Sequence, residues 1–186
     1  MPTEFTTSFL RGATDLLRYY KKLGTRAIEQ APDSGLVATL DPESNSIATI
    51  VKHLSGNLRS RWSDFLTTDG EKPDRDRDSE FEAPPHTREE IVALWEAGWK
   101  VIFESLGNLT DADLTRTVLI RTEPHSVLQA IGRAFAHAAY HVGQIVYLAK
   151  HFTGERWSSL SVPKGKSAEL NARMGLGSNL SREPQR

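Results

Sequence analysis

Four segments with the apolar period of an amphipathic helix, each closed by a polar break, leave few folds open to this chain. The first runs from about Thr3 to Gln30 and repeats Phe5, Phe9, Leu10, Leu16, Leu17, Tyr20, Leu23 and Ile28 at spacings near three and four. Pro32, Asp33, Ser34 and Gly35 interrupt it, and Asp41 to Ser46 then supplies turn and N-cap residues for a second helix predicted to reach about Thr67. Its buried face is Ile47, Ile50, Val51, Leu54, Leu58, Trp62 and Phe65. Residues 68–86 are rich in Asp and Arg, contain Pro73, Pro84 and Pro85, and read as a surface loop. Thr87 followed by Glu90 is a capping box that opens a third helix, which stops near Gly107. The fourth helix spans about Ser126 to Phe152 and ends before Gly154. Asp111 to Leu114 reads as one short helical turn and Thr117 to Arg121 as an extended piece, with no strand series long enough for a sheet. The pattern predicts an all-α fold, a four-helix bundle over residues 3–153 with up-down or crossover connections. An irregular C-terminal tail, 154–186, follows, with a short helix from Ser167 to Arg173. A chain of 186 residues, 38% apolar and 25% charged, suits a single domain over 1–186.

Little in those helices carries chemistry except histidine. His137 and His141 stand four apart on the fourth helix, which sets both rings on one face with Cβ atoms about 6 Å apart. On a helical projection they lie between the main hydrophobic sector and the polar arc of Gln129, Arg133, Tyr140, Gln144, Tyr147 and Lys150. The same projection puts His53 on the flank of the second helix's apolar face, beside Ile50 and Asn57. A bundle can bring all three to one inter-helix groove as a metal site. Taken alone, His53 reads more readily as a boundary histidine satisfied by a hydrogen bond, whereas the His137–His141 pair alone divides evenly between that reading and a metal site. His86, His125 and His151 fall in a loop, at a helix entrance and at a helix end, and read as surface or capping residues.

Three imidazoles with no carboxylate beside them favour a divalent transition metal, zinc, nickel or iron, over magnesium or calcium. Three protein ligands leave a position for water or substrate, as in catalytic rather than purely structural zinc sites. Asn57 and Tyr140 are candidates to orient a bound molecule, with Tyr147 a further hydroxyl near the groove. The chain has no cysteine, which excludes disulfides, Cys-ligated metals and a cysteine nucleophile, so any thiol chemistry needs a thiol from outside. A net charge of −1 supplies no field to recruit nucleic acid or an anionic membrane. The amino terminus lacks a basic region followed by an apolar run, and no apolar stretch approaches bilayer length, so a cytoplasmic location is expected.

The order of His53 on the second helix and His137-x-x-x-His141 on the fourth resembles the DinB-like superfamily, which includes bacillithiol transferases and mycothiol-dependent isomerases. The segments Ser46 to Asn57 and Leu160 to Ser167 look like a branch of that superfamily whose biochemical role is unassigned. The resemblance spans nearly the whole chain. It implies a four-helix bundle, a divalent metal on His53, His137 and His141, and a homodimer. In the transferase members it implies a low-molecular-weight thiol, bound as thiolate, that attacks a small electrophile.

Two function classes follow. One is a metal-dependent thiol S-transferase; the other is a metal-binding or stress-associated interaction protein without catalysis. Gly165-Lys166-Ser167 is not a phosphate-binding loop, because Leu160 stands where that motif needs glycine. His137-Ala138 lacks the glutamate that serves as base in zinc metallopeptidases. The charges of Asp69 to Glu82 alternate and read as solvated surface with the reach to cover the groove, and those of Arg59 and Arg61 as exposed helix charges, with contact to an anionic substrate the alternative.

Overall fold

The computed structural model describes residues 8–175. The Ser8 hydroxyl accepts from the Arg11 amide and starts α1 (Phe9–Gln30), so the expected start at Thr3 lies outside the described residues. Where the sequence predicted only an interruption, a short helix α2 (Asp33–Val37) follows Pro32. It can form there because Gly35 lies against Phe152, where a Cβ would come within 2.6 Å of the Phe152 Cβ. Ser46 caps α3 (Ile47–Trp62) by accepting from the Thr49 amide. This helix ends short of the expected Thr67 because Asp64 takes a φ of 48°; Phe65 reaches the core from the turn instead.

α4 (Arg88–Gly107) begins with both bonds of the Thr87–Glu90 capping box, and α5 (Val127–Thr153) begins with the equivalent pair, Ser126 and Gln129. Between them lies a two-stranded hairpin, β1 (Thr117–Ile120) and β2 (Glu123–Ser126), of which the sequence revealed only the first strand. Its two-residue turn, Arg121 and Thr122, holds both residues at positive φ, 55° and 65°. That is the twist a tight hairpin needs, achieved without glycine because Asp69 accepts from both turn amides at 2.8 and 2.6 Å. A seven-residue helix, α6 (Ser167–Arg173), occupies the tail as expected, and residues 176–186 lie outside the described region.

Contacts between side chains fix the helix directions. Gly98 of α4 packs on Ser55 of α3, and the Ser105 hydroxyl of α4 donates to the Trp62 carbonyl, so α3 and α4 run parallel. Lys21 pairs with Glu96 while Arg88 donates to the carbonyls of Ile28 and Ala31, so α1 runs antiparallel to α4. Tyr20 meets Phe135 and the Thr153 hydroxyl donates to the Gln30 carbonyl, which makes α1 parallel to α5. Around the bundle the neighbours are α1, α5, α3 and α4. Leu17, Ile28, Ile47, Leu54, Leu58, Ile91, Trp99, Ile102, Ile131 and Ile145 fill the space between them. Two parallel sequential helices require the chain to cross back over the bundle, and residues 63–87 make that crossing. Among the described residues no helix is long and apolar enough to cross a membrane.

Candidate metal centre

His53 is buried at 4% exposure, deeper than the flank position read from its helix alone. The difference is tertiary: α3 is packed by α4 on one side and α5 on another, and the crossover lays Phe81 over the imidazole, ring centres 4.7 Å apart. Across the α3–α5 seam stand His137 and His141, both half-buried. The Nε2 atom of His137 is 3.3 Å from that of His53 and 3.2 Å from that of His141. One ligand atom from each ring fits within a 4.8 Å span.

The far side of each ring decides what these nitrogens present. His53 Nδ1 lies 2.8 Å from Glu80 Oε2. Burial pushes the Glu80 carboxyl up, but bonds from His53 and Arg75 outweigh it and hold the carboxyl below its ordinary value. An ionised carboxylate only accepts, so His53 Nδ1 carries the proton, which leaves Nε2 as the ring atom that faces the centre. His141 Nδ1 likewise donates to Gln144 Oε1 at 2.8 Å, which directs a lone pair inward. Burial, then the neighbouring His141 and His53, then Arg75 and Arg61, push His137 down to about 3. Burial also lowers His141, against the bond from Gln144. Both are neutral at pH 7, the state in which imidazole ligates a metal.

Lone pairs converging at such short range repel unless a proton or cation lies between them, and His137 Nδ1 is buried without a partner. Nitrogens about 2.0–2.1 Å from a tetrahedral zinc ion stand about 3.3 Å from one another, the spacing of both short edges here. His53, His137 and His141 could therefore hold a metal ion, by donor type and by two of their three spacings. The carboxylate bound to His53 completes the usual arrangement, in which an outer partner fixes the tautomer and orientation of a ligating histidine.

Beside the centre opens a cavity of about 230 Å³. His53 and His137 form one wall, with Asn57, one turn after His53, on the same face. Trp62, Phe65, Ala130 and Ala134 form the apolar wall, and hairpin residues Val118 to Arg121 cover it. Arg61, Arg75, Arg77, Arg121 and Arg133 also reach it. Glu71 accepts from Arg61 at 2.8 Å and from Arg121 at 2.9 Å, tying the crossover to α3 and to the hairpin.

Of the residues singled out in the sequence, Asn57 lines the cavity, whereas Tyr140 sets its ring edge-on to His141 at 4.7 Å and is 62% exposed. Tyr147 is exposed too and, with Tyr140, Ile50 and Leu148, lines a separate pocket that none of the three histidines reaches. His86, His125 and His151 do not join the histidine cluster. The segment Asp69 to Glu82 is more than solvated surface: Glu80 is 6% exposed and Arg75 is bound to it through two nitrogens at 2.8 and 2.9 Å. Gln144, at three residues from His141, was legible as a helical neighbour. Glu80 had no such signal, because its place depends on the path of the crossover. Arg59 is an exposed helix charge, but Arg61 is half-buried and paired.

The pattern of a protein family described as "Protein of unknown function (DUF1572)" matches residues 4–166. No curated protein matches the chain.

Proposed function

This chain belongs to the family of unknown function DUF1572, and we propose that it is a DinB-like metal protein that transfers a low-molecular-weight thiol to a small electrophile. The observation that supports this most is the convergence of three imidazole nitrogens, with His53 and His137 at the wall of a cavity open to a small molecule. A divalent ion held by His53, His137 and His141 supplies a Lewis acid that lowers the pKa of a bound thiol and so makes it nucleophilic at neutral pH.

The chain's own groups supply the rest. Glu80 and Gln144 fix the tautomers of His53 and His141 and keep both rings aimed at the centre. Trp62 and Phe65 exclude water from the apolar wall, which preserves the nucleophile for the electrophile rather than for solvent. Asn57 offers an amide to orient whichever molecule occupies the cavity. The thiol proton leaves to solvent, a sulfur lone pair forms the S–C bond, and the leaving group departs with the electron pair of its own bond to that carbon. Because the chain has no cysteine, no internal thiol competes for the metal or the electrophile.

Elemental mass spectrometry on protein purified without chelator or affinity tag tests the reading first. Near-stoichiometric zinc, nickel or iron in the wild type, lost in both His53→Ala and His141→Ala, is the expected result. The metal-loaded protein is then screened for turnover of cellular thiols with standard electrophiles. Full loading without turnover favours a metal-binding protein without catalysis. A wild type that carries no metal and takes up none of the three sinks the proposal.

A further inference from the structure

The cavity beside the histidines has an uneven charge inventory. Five guanidiniums reach it, while Glu71 and Glu80 lie behind them and are already shared. Glu80 is occupied by Arg75 and His53, and Glu71 by Arg61, Arg75 and Arg121. Arg133 makes no ion pair among the described residues, and Arg77 only a long, exposed one to Asp78 at 3.8 Å. Arg61 Nη1 is buried with no hydrogen-bond partner, although Nη2 of that guanidinium pairs with Glu71. A buried charged donor left unpaired is costly, and an excess of positive charge with no counter-ion compounds it.

An anion in the cavity would balance that charge. Guanidinium groups pair with planar oxyanions through paired N–H donors, so a carboxylate or phosphate is the matching chemistry. The lining also includes Trp62, Phe65, Val118 and Ala130, apolar and buried, which a bare inorganic ion would leave unused. At about 230 Å³ the space lies below the common range for drug-sized ligands, so the occupant is small.

We infer that the cavity binds a small organic acid, its anionic oxygens on Arg61 and Arg133 and its apolar body against Trp62 and Phe65, as the substrate presented to the histidine centre. This rests on the proposed function for its role as substrate, but the binding itself does not require a metal.

The test uses the full chain, chelator-treated and zinc-loaded, titrated by calorimetry with hexanoate, with its uncharged counterpart 1-hexanol, and with inorganic phosphate. Saturable binding of hexanoate by chelator-treated protein, at least about tenfold tighter than 1-hexanol and tighter than phosphate, is expected. Arg61→Gln should weaken hexanoate about tenfold. Since Arg61 also anchors Glu71, the exposed and unpaired Arg133→Gln is the second variant, with an expected weakening of about threefold. Binding of 1-hexanol as tight as that of hexanoate, hexanoate affinity unchanged in both variants, or no saturable binding overturns the inference; phosphate binding more tightly than hexanoate does so too, by removing the apolar body. Zinc uptake by the same samples separates the two readings. Full uptake without hexanoate binding overturns this inference alone, whereas arginine-dependent hexanoate binding by a chain that takes up no zinc upholds it and sinks the metal reading.

Discussion

Glu80 alters what His53 can do. Without a carboxylate behind it, a buried imidazole chooses its tautomer freely, and half of the choices turn a proton toward the centre. With Glu80 in place Nδ1 keeps the proton, and Arg75 keeps Glu80 ionised. Glu80→Gln retains the shape but loses the charge, and we expect metal affinity to fall about 10- to 100-fold in competition with a chromogenic chelator, with the three ligands intact. The histidines also give the metal-free chain a defined acid response. His137 is pushed from 6.5 down to about 3 and His141 is lowered with it. As the pH falls from about 6.5 toward 3, the unfolded chain takes up protons that the folded chain refuses, so stability drops across that window and is fully present above it. Melting temperatures of metal-free protein at pH 7.5 and 5.5 should differ by more in the wild type than in His137→Ala; equal differences would remove these histidines as the cause. At this scale the sequence pointed to the histidines that the fold brings together, two of which share one helix, a local property, and was a poor guide to Glu80, which meets His53 only across 27 positions of chain.

Among the elements, helix starts were the most legible, because a cap is a contact between neighbours in sequence. Thr87 with Glu90 announced α4, and Ser46 stood where α3 begins. Helix ends and the second hairpin strand were not legible. Asp64 turns the chain out of α3 without glycine or proline, and β2 contains Pro124 and His125, a composition with no strand signal. One close helix contact is equally silent in the sequence. Gly98 lets α4 approach α3 so nearly that an added Cβ would meet the Ser55 Cα at 2.7 Å. Backbone cannot swing aside as a side chain can, so Gly98→Ala should destabilise the bundle by about 1–3 kcal/mol in denaturant unfolding, despite alanine's better helix propensity. A gain in stability would show that α3 and α4 are free to move apart.

For the whole molecule, four amphipathic segments were enough to read a bundle, but not to choose which helices run parallel. That choice depends on which face of α3 meets α4, and both neighbours of α3 are apolar. It also determines where the site is built. The parallel α3 and α4 oblige residues 63–87 to cross the bundle, and the crossing delivers Glu71, Arg75 and Glu80 to histidines borne by α3 and α5. The centre thus joins parts of the chain 84 positions apart, and within that span Arg121 is bridged to Glu71 across 50. Closing such loops is entropically slow compared with winding a helix, so order in time should follow distance along the chain. In refolding from denaturant, far-ultraviolet ellipticity should recover before the chain can capture metal, with a lag that shortens little as metal is raised. Simultaneous recovery of both would mean instead that the ion gathers the histidines early and the bundle forms around it. On that expectation, the crossing of residues 63–87 makes readiness to bind a late event in the life of each newly made chain.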